Sequence, residues 1–285
     1  MLPRVILIVA IVLAAGVALT ALVGSYSWRS STAALNAGLE AERVPSAVAV
    51  YHVDELAGLP EPVVNYFRSV LREGQPMVSA ATIGHRGTFN ANESGEDWKP
   101  FTSTQRVVPS RPGFVWDART RMAPGVSVHV HDAYVAGEGV LQARLLGLFT
   151  VMAEPLTPEL AYGELVRFLA ESAWYPTRLL PGQGVRWEPV DDTRARATLI
   201  DGATTVSLVV SFDERNLIES AYSDARPRSV GGANVMTPWQ GHFWDYAERD
   251  GMLVPLQGEV AWLLPEGPKP YWRAQVTHVS YEFSR

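Results

Sequence analysis

The stretch TPWQGHFWDYAERDGMLVPLQGEVAWLL, Thr237 to Leu264, decides the fold. Apolar and aromatic side chains recur largely every second residue on both sides of Asp250-Gly251, which is the period of a strand with two different faces. Asp-Gly is a pair that tolerates the left-handed backbone of a two-residue hairpin turn. The segment therefore predicts two antiparallel strands, residues 240–249 and 253–263. The same period extends outward from it. Residues 184–188, 194–200, 204–212 and 217–224 precede the hairpin as strands, and 272–283 follows it. Further upstream, 78–89, 98–108, 114–122, 126–135 and 140–151 make five more, punctuated by turns rich in Gly, Pro, Asn and Asp. Connections this short leave no room for crossover helices between most strand pairs, so the sheet must be antiparallel.

Two segments break the period. In LPEPVVNYFRSVL, Pro62 suits an early helical position and Val63, Phe67, Val70 and Leu71 form a stripe at helical spacing, predicting a helix over 61–72. A second helix starts after Thr157-Pro158, carries Leu165, Phe168 and Leu169 on one face, and stops before Trp174-Tyr175-Pro176. Strands in series with two helices set among them describe an α+β, mostly β domain. With no internal repeat and no Pro- or Ser-rich break, it is a single domain over residues 56–285.

The amino terminus is of another kind. Residues 5–23, VILIVAIVLAAGVALTALV, carry no charge and as a helix are long enough to cross a hydrocarbon core of about 30 Å. A cleavable secretory signal has a shorter apolar stretch, about 7–15 residues, before a small-x-small site. Here the exit Ala21-Leu22-Val23-Gly24-Ser25 fits such a site poorly, and without any Cys no lipid can be attached through one. The expectation is a membrane anchor over residues 1–28 and a juxtamembrane stalk over 29–55. Tyr26 and Trp28 would lie in the outer headgroup layer, with the helix ending near Gly24. Arg4 and the terminal amine, weighed against Arg29 and Arg43, favour a short tail inside and the bulk of the chain outside.

A formal charge of -6 argues against a nucleic-acid partner, and the absence of Cys rules out disulfides and thiolate metal sites. Nine Trp and ten Tyr imply broad apolar surfaces with polar rims, in a core or around a cavity.

The aromatic strand, charged x-Asp-Gly turn and Val-Pro restart of residues 239–255 resemble a recurring piece of the lipoprotein carriers LolA and LolB. That resemblance implies a curved antiparallel half-barrel wrapped around helices, with an apolar cavity for acyl chains. It would make the protein a membrane-tethered binder of a lipid or other apolar molecule. The segments LPEPVVNYFR, PGFVWDAR, GELVRFLAESAWYPTRLLPG, TPWQGHFWDY and GEVAWLLPEG, spanning Leu59 to Gly267, resemble a bacterial family known only as a domain of unknown function. This second resemblance implies a membrane-anchored bacterial protein and no particular reaction; with the apolar run of residues 5–23, the expectation is a single-pass protein of the bacterial cytoplasmic membrane with no cofactor.

Candidate site residues follow from side-chain chemistry. Glu164, Arg167 and Glu171 stand at i, i+3 and i+7, so one helix face presents carboxylate, guanidinium and carboxylate. Exposed, they are an ion-pair ladder of a few tenths of a kcal/mol per pair. Turned inward, an acid with a raised pKa becomes a general base or a headgroup contact, as in a hydrolase. Trp174, Tyr175, Arg226, Trp239, Trp244 and Tyr246 are the candidates for ligand contact. His129 and His131 share a strand face at a spacing seen in metal sites, but a metal needs further ligands from elsewhere. Otherwise they lie on the wet face, opposite a buried Val126, Val128 and Val130. Neither Gly-x-Ser-x-Gly nor a phosphate-cradling glycine motif is present. A scaffold docking protein partners through a sheet edge is the remaining alternative.

Overall fold

The alternating pattern builds one sheet. The computed structural model describes residues 2–45, 48–90, 92, 95–123 and 125–284, and of the first helix it leaves the side chains of residues 2, 6, 9, 10 and 12–14 undescribed. The strands are β1 (Val78–Asn90), β2 (Trp98–Val108), β3 (Gly113–Ala123), β4 (Val126–Val135), β5 (Glu138–Leu145) and β6 (Phe149–Ala153) in the first half. The second half holds β7 (Arg186–Asp191), β8 (Arg194–Asp201), β9 (Thr204–Phe212), β10 (Ile218–Val230), β11 (Ala233–Arg249), β12 (Met252–Leu264) and β13 (Gly267–Phe283). All thirteen form one antiparallel sheet in the order β6-β5-β4-β3-β2-β1-β13-β12-β11-β10-β9-β8-β7. Two meanders are thus sewn together where β1 pairs β13, with Ala81 opposite Tyr281 and Phe89 opposite Trp272. The curved sheet does not close, since β6 and β7 remain edges.

Several strand boundaries differ from the sequence reading: β7 spans Arg186–Asp191 and not 184–188, β11 begins at Ala233 and not at 240, and β13 begins at Gly267 and not at 272. Residues 140–151 are not one strand, because Leu146 (φ 56°) and Gly147 (φ 72°) reverse the chain between β5 and β6. Gly147 is needed there, since an added Cβ would stand 2.8 Å from the Gly24 carbonyl oxygen and 3.0 Å from Trp28 Cβ. Conversely, β10 continues past residue 224 to Val230. The register shifts between Ser223 and Arg226, and beyond that irregularity Pro227 still faces Met236. Residues 93, 94 and 124 of two expected turns lie outside the described residues.

Two helices fill the concave side. α2 (Glu61–Val70) carries Pro62 in its first turn and buries Val63, Tyr66, Phe67 and Val70. α3 (Pro158–Glu171) is capped by the Thr157 side chain, which accepts from Leu160 N at 3.2 Å. After α3, three tight turns (Ser172–Trp174, Pro176–Leu179 and Pro181–Gln183) lead to β7. Together with α2 they plug one end of the curved sheet. Thr177 Oγ1 accepts from Val78 N at 3.1 Å, Tyr281 Oη donates to the Trp174 carbonyl at 2.6 Å, and Trp187 Nε1 donates to the Leu179 carbonyl at 2.9 Å.

The amino-terminal helix does not end near Gly24. α1 (Leu2–Ala41) runs on for 40 residues, and its second half lies on the convex face against β2, β3 and β4. Gly24, Trp28, Thr32, Leu35 and Leu39 follow one another at three- and four-residue steps along a single helix face. Leu39 is buried with Val108, Val115 and Ala133, and Leu35 packs beside it. Trp28, expected among headgroups, is buried; Tyr26 is exposed. Before Gly24 the described apolar side chains of α1 are solvent-facing, with Leu7, Ile8, Ile11, Val17, Leu19 and Leu22 near or above 60% exposure. Among the described residues no helix is long and apolar enough to cross a membrane, and six residues of the 5–23 run have side chains outside that set.

Candidate functional site

Opposite the plugged end the curved sheet stays open. A cavity of about 600 Å³ lies between α3 and the concave sheet face. One wall is Phe101, Trp116, Ala118, Val130, Leu141 and Ala143, and the other is Trp174, Trp239, Phe243, Trp262, Tyr271 and Trp272. Strand alternation delivers these side chains inward. On β3, Phe114, Trp116 and Ala118 face the concave side, while Val115 and Asp117 face α1. Aromatic rings pack edge to face along the wall, Phe101 on Trp116 at 5.6 Å and Trp174 on Phe243 at 5.9 Å. At the rim stand Asp97, Lys99, Met122, Met152, Glu154 and Asn234.

Beneath the apolar walls α3 supplies a charged floor. Arg167 Nη1 donates to Asp132 Oδ2 at 2.6 Å, its Nε to Glu171 Oε1 at 2.7 Å, and its Nη2 to Gln105 Oε1 at 3.2 Å. Gln105 Nε2 in turn donates to Glu171 Oε2 at 2.7 Å. The guanidinium lies over the rings of Phe114 and Trp116, at 4.7 and 5.3 Å. Arg226, on β10, reaches across to α3. Its Nε donates to the Gly163 carbonyl at 3.0 Å, Nη1 to Tyr271 Oη at 3.2 Å, and Nη2 lies 3.5 Å from Glu164 Oε1. Tyr271 Oη also accepts from Trp239 Nε1 at 2.9 Å, tying the floor to the aromatic wall.

The charges balance only if one acid is neutral. Two guanidinium groups, Arg167 and Arg226, face three carboxyl groups, Asp132, Glu164 and Glu171. Burial pushes the Glu164 carboxyl well above the usual range, and the Asp132 carboxylate beside it adds to the rise while Arg226 opposes it. Glu164 Oε2 and Asp132 Oδ1 are both buried without a donor among the described residues, so a protonated Glu164 satisfies both at once by donating to Asp132. Burial works against the charge on Arg167, but Glu171 and Asp132 outweigh it and hold the guanidinium protonated more firmly than in water. His85, buried beside Trp174 and Trp272, is pushed down to about 3 by burial and by Arg167, and is neutral.

The sequence candidates separate into three groups. Glu164, Arg167, Glu171, Trp174, Arg226 and Trp239 meet around the cavity. Tyr175, Trp244 and Tyr246 do not. Tyr175 is in the core with its hydroxyl on the Phe168 carbonyl at 3.1 Å, Tyr246 donates to the Ile218 carbonyl at 2.7 Å, and Trp244 packs on His242 outside. His129 and His131 are not on a wet face, because α1 covers them. Trp28 stacks on His131 at 3.7 Å, Thr32 Oγ1 is 2.7 Å from His131 Nε2, and Trp28 Nε1 and Thr32 Oγ1 donate to the two oxygens of Asp117 at 2.9 and 3.1 Å. Burial and the nearby Arg144 push His131 down to about 4, and burial with Arg119 lowers His129. Val128 and Val130, expected in a core, line the cavity instead. Among the described residues no group of three His, Asp or Glu is placed to hold a metal ion.

Asp132, Gln105, Trp116, Trp262 and Tyr271 belong to the site but lie outside the sequence candidates. Asp132 alone had a legible signal, since alternation sets it on the face of Val128 and Val130 and opposite His131.

A LolA superfamily protein from Nitrosomonas europaea has a similar crystal structure, at 12% identity and a TM-score of 0.40, covering 79% of this chain and 94% of that one. A beta-barrel-like protein of domain of unknown function DUF1849 from Brucella abortus is similar at 12% identity and a TM-score of 0.25, covering 72% of this chain and 99% of that one. No curated protein matches the sequence. The model of DUF6920, a family of unknown function, matches residues 57–281, which takes in the whole sheet but the last two residues of β13 together with α2 and α3, and the chain belongs to that family.

Proposed function

We propose that this chain is a membrane-tethered bacterial envelope protein that holds a lipid or another apolar molecule in its β-rich cup. The observation that carries the reading is the cavity itself. Its volume of about 600 Å³ falls among small-molecule sites, its walls are mainly Trp, Phe, Val, Leu and Ala, and its polar groups stand at the floor and at the rim. Leaving such walls wet forfeits the burial of apolar surface at roughly 25 cal/mol per Å². With Glu164 protonated the floor carries no net charge, which favours a ligand whose buried end is apolar or neutral. In this reading Glu164, Arg167 and Glu171 are the floor of a binding site, and the chain performs no reaction there. The charge-free residues 5–23 and the exposed apolar side chains of α1 support the tether.

Native mass spectrometry of the full chain, released from detergent in the gas phase, tests the binding. A retained mass that organic extraction identifies as lipid is the expected result. A chain that flies only at its own mass, from several mild detergents, sinks the proposal.

A further inference from the structure

The pairing register says which way the cup faces. Successive hairpins of a meander turn at alternate ends, and here the β3–β4, β5–β6 and β10–β11 turns all lie at the open end. Ala123 pairs with Val126, Leu145 with Phe149 and Val230 with Ala233. The other end is the one plugged by α2 and the turns after α3. α1 enters at the open end. An added Cβ on Gly24 would stand 2.0 Å from the Leu146 carbonyl oxygen in the β5–β6 turn, whereas Leu39 meets Gly113 at the far end of β3. Everything before Gly24 therefore projects beyond the rim, and the 22 residues Leu2–Val23 of this helix reach about 33 Å.

The rim carries exposed apolar side chains between its polar ones. Met122, Phe149, Val151, Met152, Val235 and Met236 are all between 37% and 57% exposed, and all lie at or next to those three turns. Met122 and Met152 also line the cavity. An exposed apolar edge strand such as β6 invites aggregation unless something covers it. The apolar run of α1 leaves the domain beside these same turns, so whatever bilayer it enters is brought against them.

We propose that this rim docks into the headgroup region of the leaflet that residues 5–23 enter, so that the cup opens directly onto lipid and is loaded from the membrane without passing through water. The proposal rests on the tether and the binding reading above. Amphipathic elements of this kind settle about 5–10 Å into the headgroup and acyl boundary.

Because the chain has no Cys, single-Cys variants of the full chain accept one environment-sensitive fluorophore each. Labels at Met122→Cys, Phe149→Cys and Met236→Cys report the rim on three separate hairpins, so one misfolded variant leaves two. Val190→Cys reports the opposite end of the sheet and Leu19→Cys the tether. In vesicles of phosphatidylethanolamine and phosphatidylglycerol carrying nitroxide-labelled lipid, the rim labels and Leu19→Cys should lose emission while Val190→Cys keeps it. Quenching at Leu19→Cys with none at the rim overturns the docking and leaves the tether standing. No quenching at Leu19→Cys removes the tether and the docking with it. Unlabelled rim-cysteine variants that an added oxidant converts into disulfide-linked dimers, with the labelled variants staying bright, assign the rim to a second copy of the chain, and also overturn the proposal.

Discussion

Replacing Glu164 by Gln tests the charge balance beneath the cup. The amide has nearly the shape of the protonated acid. It can donate to Asp132 Oδ1, which otherwise lacks a donor, and accept from Arg226, whose Nη2 stands 3.5 Å from Glu164 Oε1. The sign follows from linkage. A carboxyl whose pKa is raised above its ordinary 4.5 contributes fully below that value and loses the contribution as pH rises toward the folded value. Wild-type stability relative to Glu164→Gln should therefore fall by about 1.4 kcal/mol per pH unit above about pH 4.5, until Glu164 ionises. The variant should equal or exceed wild type at neutral pH. Glu164→Ala should instead lose roughly 3 kcal/mol, because it leaves Asp132 and Arg226 buried without their partner. Urea unfolding followed by Trp emission, stepped from about pH 5 to about pH 8, reads the differences and cancels every other titrating group. A wild-type-minus-Gln difference that stays flat across this range would show Glu164 ionised and paired with Arg226, and the neutral floor would be refuted.

Three further outcomes are expected. His131 is held down to about 4 from 6.5, so the contribution it makes under α1 is complete above pH 6.5 and lost as pH falls toward 4, about 3 kcal/mol in all. Amide-exchange protection of residues 24–41, corrected for intrinsic rates, should then drop between pH 7 and pH 5, and unchanged protection would contradict it. Gly24→Ala should loosen α1 although alanine favours helices by about 1 kcal/mol, because its Cβ meets the Leu146 carbonyl oxygen; Gly16→Ala, with nothing among the described residues within 4 Å, should be neutral or stabilising. A more stable Gly24→Ala by urea midpoint would deny the close approach. Ala143→Phe, on the cavity wall, should abolish retained lipid in native mass spectra while leaving circular dichroism unchanged, and undiminished lipid would place the ligand elsewhere.

The strands and two inner helices were legible because each answers to a local rule. Alternation marked β2, β4 and β9 to the residue, Thr157-Pro158 opened α3, and Asp250-Gly251 turned the β11–β12 hairpin with φ of 49° and 83°. What alternation cannot say is what covers each face. On β4 it separated His129 and His131 from Val128, Val130 and Asp132, but which side was wet depended on two elements distant in sequence. α1 lies on the histidine side and α3 with the cavity on the other, so neither side is the plain wet surface or packed core expected of one strand. The floor was half legible for the same reason. Helical spacing brought Glu164, Arg167 and Glu171 together, whereas Asp132, Gln105 and Arg226 join them only through sheet curvature.

The amino-terminal helix carries the same lesson into function. Hydropathy registers the charge-free residues 5–23 and falls silent at Gly24, because the docking face beyond it mixes Gly, Trp, Thr and Leu with Asn36 and Glu40. That quiet stretch is nonetheless where the orientation of the cup is decided. Gly24 seats against the β5–β6 turn and Trp28 wedges between His131 and the turn's Gly147. A long flexible stalk would let the cup point anywhere. A helix continuous from the apolar run to Leu39, packed along β3 and β4, gives the open end one direction, and it is the direction in which the apolar run leaves.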